Sequence, residues 1–114
     1  IPILIDVTDQ PSIQRALAIV AERCGANGLY GLVNNAGIAV PAPLETIPLP
    51  DFRRQLDVNV IGQLAVTQAF LPLIRQARGR IVNMGSIAGR STIPMMGAYS
   101  ASKFGMIGPA YFQL

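Results

Sequence analysis

The sequence predicts an α/β domain built on a parallel sheet, and three observations lead there. Short, nearly continuous β-branched runs alternate with longer stretches of helical period, in the order strand, helix, strand, helix, strand, helix. The strand runs lack the polar–apolar alternation of a strand with one wet face, so they read as covered on both faces. Each run also ends in small or polar residues, at the carboxyl edge where sheets of this kind bind ligands.

The elements follow in order. Ile1 to Thr8, IPILIDVT, is the first strand. The next stretch, DQPSIQRALAIVAERCG, is a helix that Asp9 can cap and whose first turn suits Pro11. Ile13, Ala16, Leu17, Val20, Ala21 and Cys24 keep the spacing of one apolar face, and Gly25 ends it. LYGLVNNAG is a second strand running into a turn. The segment from Ile38 to Pro50 carries four prolines and reads as a loop. A long helix follows from Asp51 to about Gln76, and Pro72 is expected to kink or restart it. GRIVNMGS is the third strand. After another loop, AYSASKFGMIG opens a last helix that Gly108-Pro109 is expected to end. There is no internal repeat and no low-complexity tract.

Composition narrows the classes. The 114 residues suffice for one domain with a modest core. Hydrophobic residues make up 51% and charged residues 13%, with mean hydropathy +0.42, which is too apolar for a disordered chain. No apolar run approaches the ~18 residues of a membrane span, so no membrane segment is expected. The chain opens on Ile1, with no charged leader before an apolar stretch. Cys24 is alone and histidine is absent, which excludes an internal disulfide, a cysteine-rich or zinc metal site, and Ser-His-Asp or Cys-His catalysis. A reducing, cytoplasmic compartment fits a lone cysteine. The net charge of +3 comes from eight arginines and one lysine against six acidic residues. Arg75, Arg78 and Arg80 flank a glycine without interleaved aromatics, as in a solvated turn rather than a nucleic-acid patch.

Without histidine, proton transfer needs another pair. Tyr99 and Lys103, the only lysine, lie four apart on a predicted helix and so share a face. A phenol is a poor base at neutral pH, but an ammonium about 4 Å away would favour phenolate by up to ~4 kcal/mol. Tyrosine plus lysine can thus stand in for histidine. Ser86 could hydrogen-bond the reacting oxygen. Other positions carry two readings each. Asn59 is either a polar surface position on its helix or a functional amide competing for backbone groups. Asn34-Asn35-Ala36-Gly37 is either a turn or a place where backbone approaches a ligand closely. Asp6 either caps its strand end or accepts a hydrogen bond from an exocyclic amine. Met95 and Met96 fit packing, and could also line an apolar pocket.

The motifs NNAG, NV.G around Asn59, GSIAG around Ser86 and YSASK from Tyr99 to Lys103 together resemble the short-chain dehydrogenase/reductase family. The likeness runs from about Ile5 to Met106. It implies a Rossmann-type doubly wound parallel sheet, here incomplete with three strands and flanking helices, so that residues 1–114 form part of an NAD(P)-binding domain with its catalytic centre. It also implies hydride transfer between NAD or NADP and an alcohol or ketone. Carried over by motif, Tyr99 is the general acid/base, Ser86 orients the carbonyl, and Lys103 tunes the tyrosine and holds the nicotinamide ribose. Asn59 supports a water relay to Lys103. Asp6 and Val7 lie near the adenine, and Asn34, Ala36 and Gly37 along the adenosine side. A small, apolar alcohol or carbonyl substrate is suggested by Ile87, Ala88, Pro94 and Met95. The two long helices resemble those that pair in homo-oligomers of the family.

The resemblance also sets out departures. The family's glycine-rich phosphate loop and first two strands would precede Ile1, and its last strands and substrate loop would follow the last helix; PAYFQL does not resemble the family's continuation of that helix. In the sheet order 3-2-1-4-5-6 this chain supplies the third, fourth and fifth strands. The third would then lack both neighbours, with its backbone groups unpaired. A piece of a longer enzyme is the expectation. The alternative is a catalytically silent chain that serves at most as an interaction fragment.

Overall fold

A computed structural model describes residues 1–110 of the chain. Helix α1 spans Gln10–Cys24, strand β1 Gly31–Asn34 and helix α2 Leu49–Leu56. A π-helical turn, Asp57–Gly62, joins α2 to helix α3, Gln63–Gln76. Strand β2, Arg80–Asn83, and helix α4, Gly97–Ala110, complete the order. The closing residues 111–114, within the PAYFQL stretch, lie outside the described residues.

The two strands pair in parallel, Gly31 with Arg80 through Asn34 with Asn83. The right-handed crossover expected between parallel strands is made by α2, the π turn and α3. A parallel strand–helix–strand unit is therefore present, but with two strands rather than three. Ile1–Thr8 forms no ladder among the described residues; it runs as extended chain into a turn at Val7–Thr8. The strand neighbours that would satisfy its backbone are not beside it, so high β-propensity alone does not make it a strand. Ile3 and Val7 of this segment still pack onto the core, whereas Leu4 is 97% exposed.

The core lies between α1 and α3. Ile13 and Ala16 meet Val66 and Phe70, with Leu17, Val20, Leu29 and Leu32 around them. Asp9 caps α1 by accepting a hydrogen bond from the Ser12 amide at 2.9 Å, and Pro11 occupies the first turn. Leu32 faces this core while Val33 and Val82 are largely exposed, so the described helices cover one face of the sheet rather than two.

Proline does not punctuate the helices where expected. The loop ends at Pro48, and Pro50 sits in the first turn of α2, where no amide proton is needed. Pro72 lies inside α3 without ending it. Its ring removes one hydrogen bond from the Gln68 carbonyl, and both residues face solvent, where water takes over that bond. The irregularity in this 28-residue helical stretch falls instead at the π turn around Asn59. Likewise α4 continues through Gly108-Pro109 to Ala110, the last described residue. By length and composition Leu49–Gln76 could also cross a membrane. In the fold it is the central helix, bearing on α1, β1 and α4.

Phe70 is 5% exposed and sits at the centre of the α1–α3 contact. Phe70→Ala is expected to lower unfolding free energy by about 3–5 kcal/mol, and Val82→Thr on the open sheet face by about 0.5 kcal/mol or less. Urea denaturation with unchanged slope measures both.

Candidate active site

The carboxyl ends of β1 and β2 lie side by side, and the segments leaving them meet the start of α4. Met84 prolongs the ladder, its amide donating to the Asn34 carbonyl at 3.0 Å. The Met84 carbonyl in turn accepts a hydrogen bond from Lys103 Nζ at 2.9 Å. Lys103 is only 6% exposed, and its Nζ lies 5.7 Å from the centroid of the half-buried Tyr99 ring. The pair therefore shares a face of α4, as its four-residue spacing predicts. Among the described residues Nζ has one hydrogen-bond acceptor, which leaves two of its three protons for a ligand.

Ser86 follows β2 and starts a short helical turn, Ile87–Gly89, its Oγ accepting from the Ala88 amide at 3.1 Å. This turn presses directly on α4. A Cβ at Gly89 would lie 3.0 Å from the Lys103 carbonyl oxygen, so glycine permits the approach. Ser86 and Lys103 line one cavity of about 190 Å³ together with Asn83, Met84 and Met106. A larger cavity of about 1040 Å³ runs between α3 and the open edge of β2. It touches neither Ser86 nor Lys103, and Tyr99 lines neither cavity.

Asn59 is completely buried within the π turn. Its Oδ1 accepts from the Ile38 amide at 2.8 Å, and its Nδ2 donates to the Ile38 carbonyl at 2.9 Å and to Ser102 Oγ at 3.0 Å. No bond joins it to Lys103; it reaches α4 one residue earlier. Gln55 and Gln63 flank it along the same helix. Gln55 bonds the Val40 amide and the Ile38 carbonyl, and Gln63 donates to the Ala36 carbonyl. Residues four apart drift by about 40° around a regular α-helix. The wider π turn offsets that drift, so three carboxamides form one row. The loop presents Ala36, Ile38 and Val40, every second residue, as an extended chain does. The helix edge acts here as a substitute strand.

The other predicted positions distribute around this frame. Asn34 is 5% exposed and turned inward, donating to Thr67 Oγ1 and Asn83 Oδ1 at 2.8 Å each. Ala36 and Gly37 are exposed past the end of β1. Val7 packs on Gly62 of the π turn. Asp6 is exposed and its Oδ1 accepts from the Thr8 hydroxyl at 2.7 Å and the Thr8 amide at 2.9 Å. The Thr8 hydroxyl, then the Thr8 amide, hold the Asp6 carboxyl below the usual carboxylate range. Met95 has φ of +70° and is half-exposed, and its carbonyl accepts from the Ala42 amide at 2.8 Å, tying the two loops together. Arg75, Arg78 and Arg80 are exposed, with Arg80 Nη1 donating to the Arg78 and Gly79 carbonyls. Sequence reading passed over Gln55, Gln63 and Ser102. The four-residue spacing of Gln55, Asn59 and Gln63 is the one signal in the sequence that points to the two glutamines.

Residues 1–110 match the short chain dehydrogenase family. The chain belongs to that family. Retinol dehydrogenase 16 of Mus musculus is 47% identical over 105 residues, covering 91% of this chain and 33% of that protein. The alcohol dehydrogenase of the archaeon Thermococcus sibiricus, solved with 5-hydroxy-NADP, superposes with a TM-score of 0.85 at 26% identity. That match covers 92% of this chain and 44% of the other. An NAD+-bound xylitol dehydrogenase superposes at 0.83 with 34% identity, over 92% of this chain and 40% of that one. The chain spans about a third of the length of the curated relatives it matches.

Two measurements test this geometry. Asn59→Leu leaves the Ile38 amide and Ser102 Oγ without this buried partner and the Ile38 carbonyl with Gln55 alone, and is expected to cost about 2–4 kcal/mol in urea unfolding. For Asp6 the folded-state pKa is depressed, so its contribution to stability is present above the usual carboxylate range and fades as pH falls through the lowered value. Thr8→Ala, read by carboxyl NMR titration, is expected to move the Asp6 midpoint upward.

Proposed function

We propose that the chain carries the catalytic centre of an NAD(P)-dependent oxidoreductase acting on an alcohol or ketone. The observation that carries this reading is the buried Lys103, fixed by one bond to the Met84 carbonyl and set beside Tyr99, with donor capacity left over. That donor set fits a vicinal diol such as the nicotinamide ribose. The exposed Ala36 and Gly37 backbone offers a smooth surface for the adenosine side; a Cβ on Gly37 would lie 3.4 Å from Asn59 Oδ1. A bound nicotinamide supplies or accepts the hydride.

The chain's own residues handle the proton. Tyr99 gives its phenol proton to the substrate oxygen in reduction and takes it back in oxidation. The Lys103 ammonium stands beside the Tyr99 ring and places a positive charge next to the proton-transfer site. Ser86 Oγ donates to the same substrate oxygen and fixes the carbonyl plane. Asn59 acts by position, since its amide is fully engaged with Ile38 and Ser102. Relatives solved with an NADP derivative and with NAD+ support either dinucleotide.

Exposed Leu44, Ile87, Ile93 and Met95, in the loops that precede α4, support an apolar substrate, in keeping with a retinol dehydrogenase among the relatives. Exposed Ile61, Leu64 and Phe104 support self-association through the long helices. The lone, half-buried Cys24 supports a reducing, cytoplasmic setting. The second reading, a silent chain, draws on the sheet itself, whose two strands are both edges.

Titration of the chain with NADH and NADPH, followed by nicotinamide fluorescence, separates the readings. Saturable binding of one dinucleotide is expected, and its absence favours the silent chain. In retinol oxidation with NAD+ or NADP+, Tyr99→Phe is expected to lower turnover by about a thousandfold or more. Undiminished turnover in that variant would remove Tyr99 from the mechanism.

A further inference from the structure

Two serines are buried in the first half of α4, two residues apart, and their surroundings differ. Ser100 is 3% exposed, and its Oγ has no hydrogen-bond partner among the described residues. Ser102 is fully buried and doubly bonded. Its Oγ donates to the Tyr99 carbonyl at 2.6 Å and accepts from Asn59 Nδ2 at 3.0 Å.

We propose that Ser102 is a positioning residue that locks the Asn59 amide to the turn of α4 bearing Tyr99 and Lys103. The inference rests on the oxidoreductase reading above. The Tyr99 carbonyl belongs to the turn whose two ends carry the Tyr99 and Lys103 side chains. A hydroxyl bonded back to that carbonyl fixes the pitch of this turn, as serine does when it bonds to the preceding turn of a helix. The same oxygen makes the one hydrogen bond of the Asn59 carboxamide to α4 among the described residues. One chain of hydrogen bonds therefore runs from the loop after β1, through Ile38, Asn59 and Ser102, into the backbone of the proton-transfer pair. Helix propensity gives no reason for serine here, since alanine is the better helix former. Lys103 is anchored separately at Met84, so loss of Ser102 leaves the ammonium in place and releases the Tyr99 end.

Ser102→Ala and the matched control Ser100→Ala decide the matter, each against the unaltered chain. In the ¹H–¹⁵N NMR spectrum, Ser102→Ala is expected to speed exchange of the Asn59 side-chain amide about tenfold or more. It is also expected to weaken the cross-relaxation between the Lys103 methylene protons and the Tyr99 ring, while Ile13 and Phe70 signals stay put. With retinol and NAD+ or NADP+, turnover should fall about tenfold at a dinucleotide KM within about twofold. Ser100→Ala should leave all three readouts unchanged. If Ser102→Ala matches Ser100→Ala in exchange rate and Tyr99–Lys103 proximity, the proposal is overturned. If no form of the chain turns over retinol, that failure falls on the reading of function, and the NMR comparison still decides Ser102.

Discussion

The carboxamide of Asn59 makes three hydrogen bonds out of reach of water, and the placement of the centre depends on them. A neutral hydrogen bond contributes only about 1 kcal/mol net, but a buried group robbed of its partner costs about 1–3 kcal/mol. That asymmetry makes the arrangement specific. The loop from Ala36 to Val40 has no strand beside it, and its buried backbone groups need partners. The row of Gln55, Asn59 and Gln63 provides them, and the π turn brings the row into line. Irregular helical turns of this kind recur where a side chain must be aimed.

From that clamp the remaining parts take their places. The loop after β1 is fixed at Ile38, which leaves Ala36 and Gly37 open at the sheet edge. The start of α4 is fixed through Ser102. Gly89 lets the Ser86 turn close onto α4, and Lys103 reaches back to the end of β2. Asn34 closes the circuit under the sheet by joining Thr67 of α3 to Asn83 of β2. Four separated stretches of sequence meet with little help from apolar packing, which is concentrated between α1 and α3.

What the sequence disclosed and what it hid divide along physical lines. Local chemistry was legible: the Asp9 cap, the apolar face of α1 and the four-residue Tyr99–Lys103 pair, while strands read as LYGLVNNAG and GRIVNMGS proved shorter, ending at Asn34 and Asn83. The family motifs gave Ser86 and Asn59 their expected roles. Pairing was not legible in the same way. IPILIDVT has every intrinsic mark of a strand, yet a ladder is a property of two segments, and this one pairs with none of the described residues. Pro72 and Pro109 misled because a proline breaks a helix only where its lost bond cannot be replaced. Gln55 and Gln63 stayed hidden because a glutamine in a helix is ordinarily a surface residue. The π turn carries no local signature apart from the polar residues it serves.

Lys103 is the only lysine in the chain. Amine-directed reagents therefore find one side-chain target, and it is the buried ammonium at the centre. Acylation or reductive methylation of that side chain becomes a gauge of how often α4 and the β2 end part from one another. A bound diol or dinucleotide would slow it, and any loosening of the carboxamide clamp would hasten it. In most proteins such labelling is spread over many surface lysines; here composition has made the side-chain signal a single-site clock for the opening of the centre.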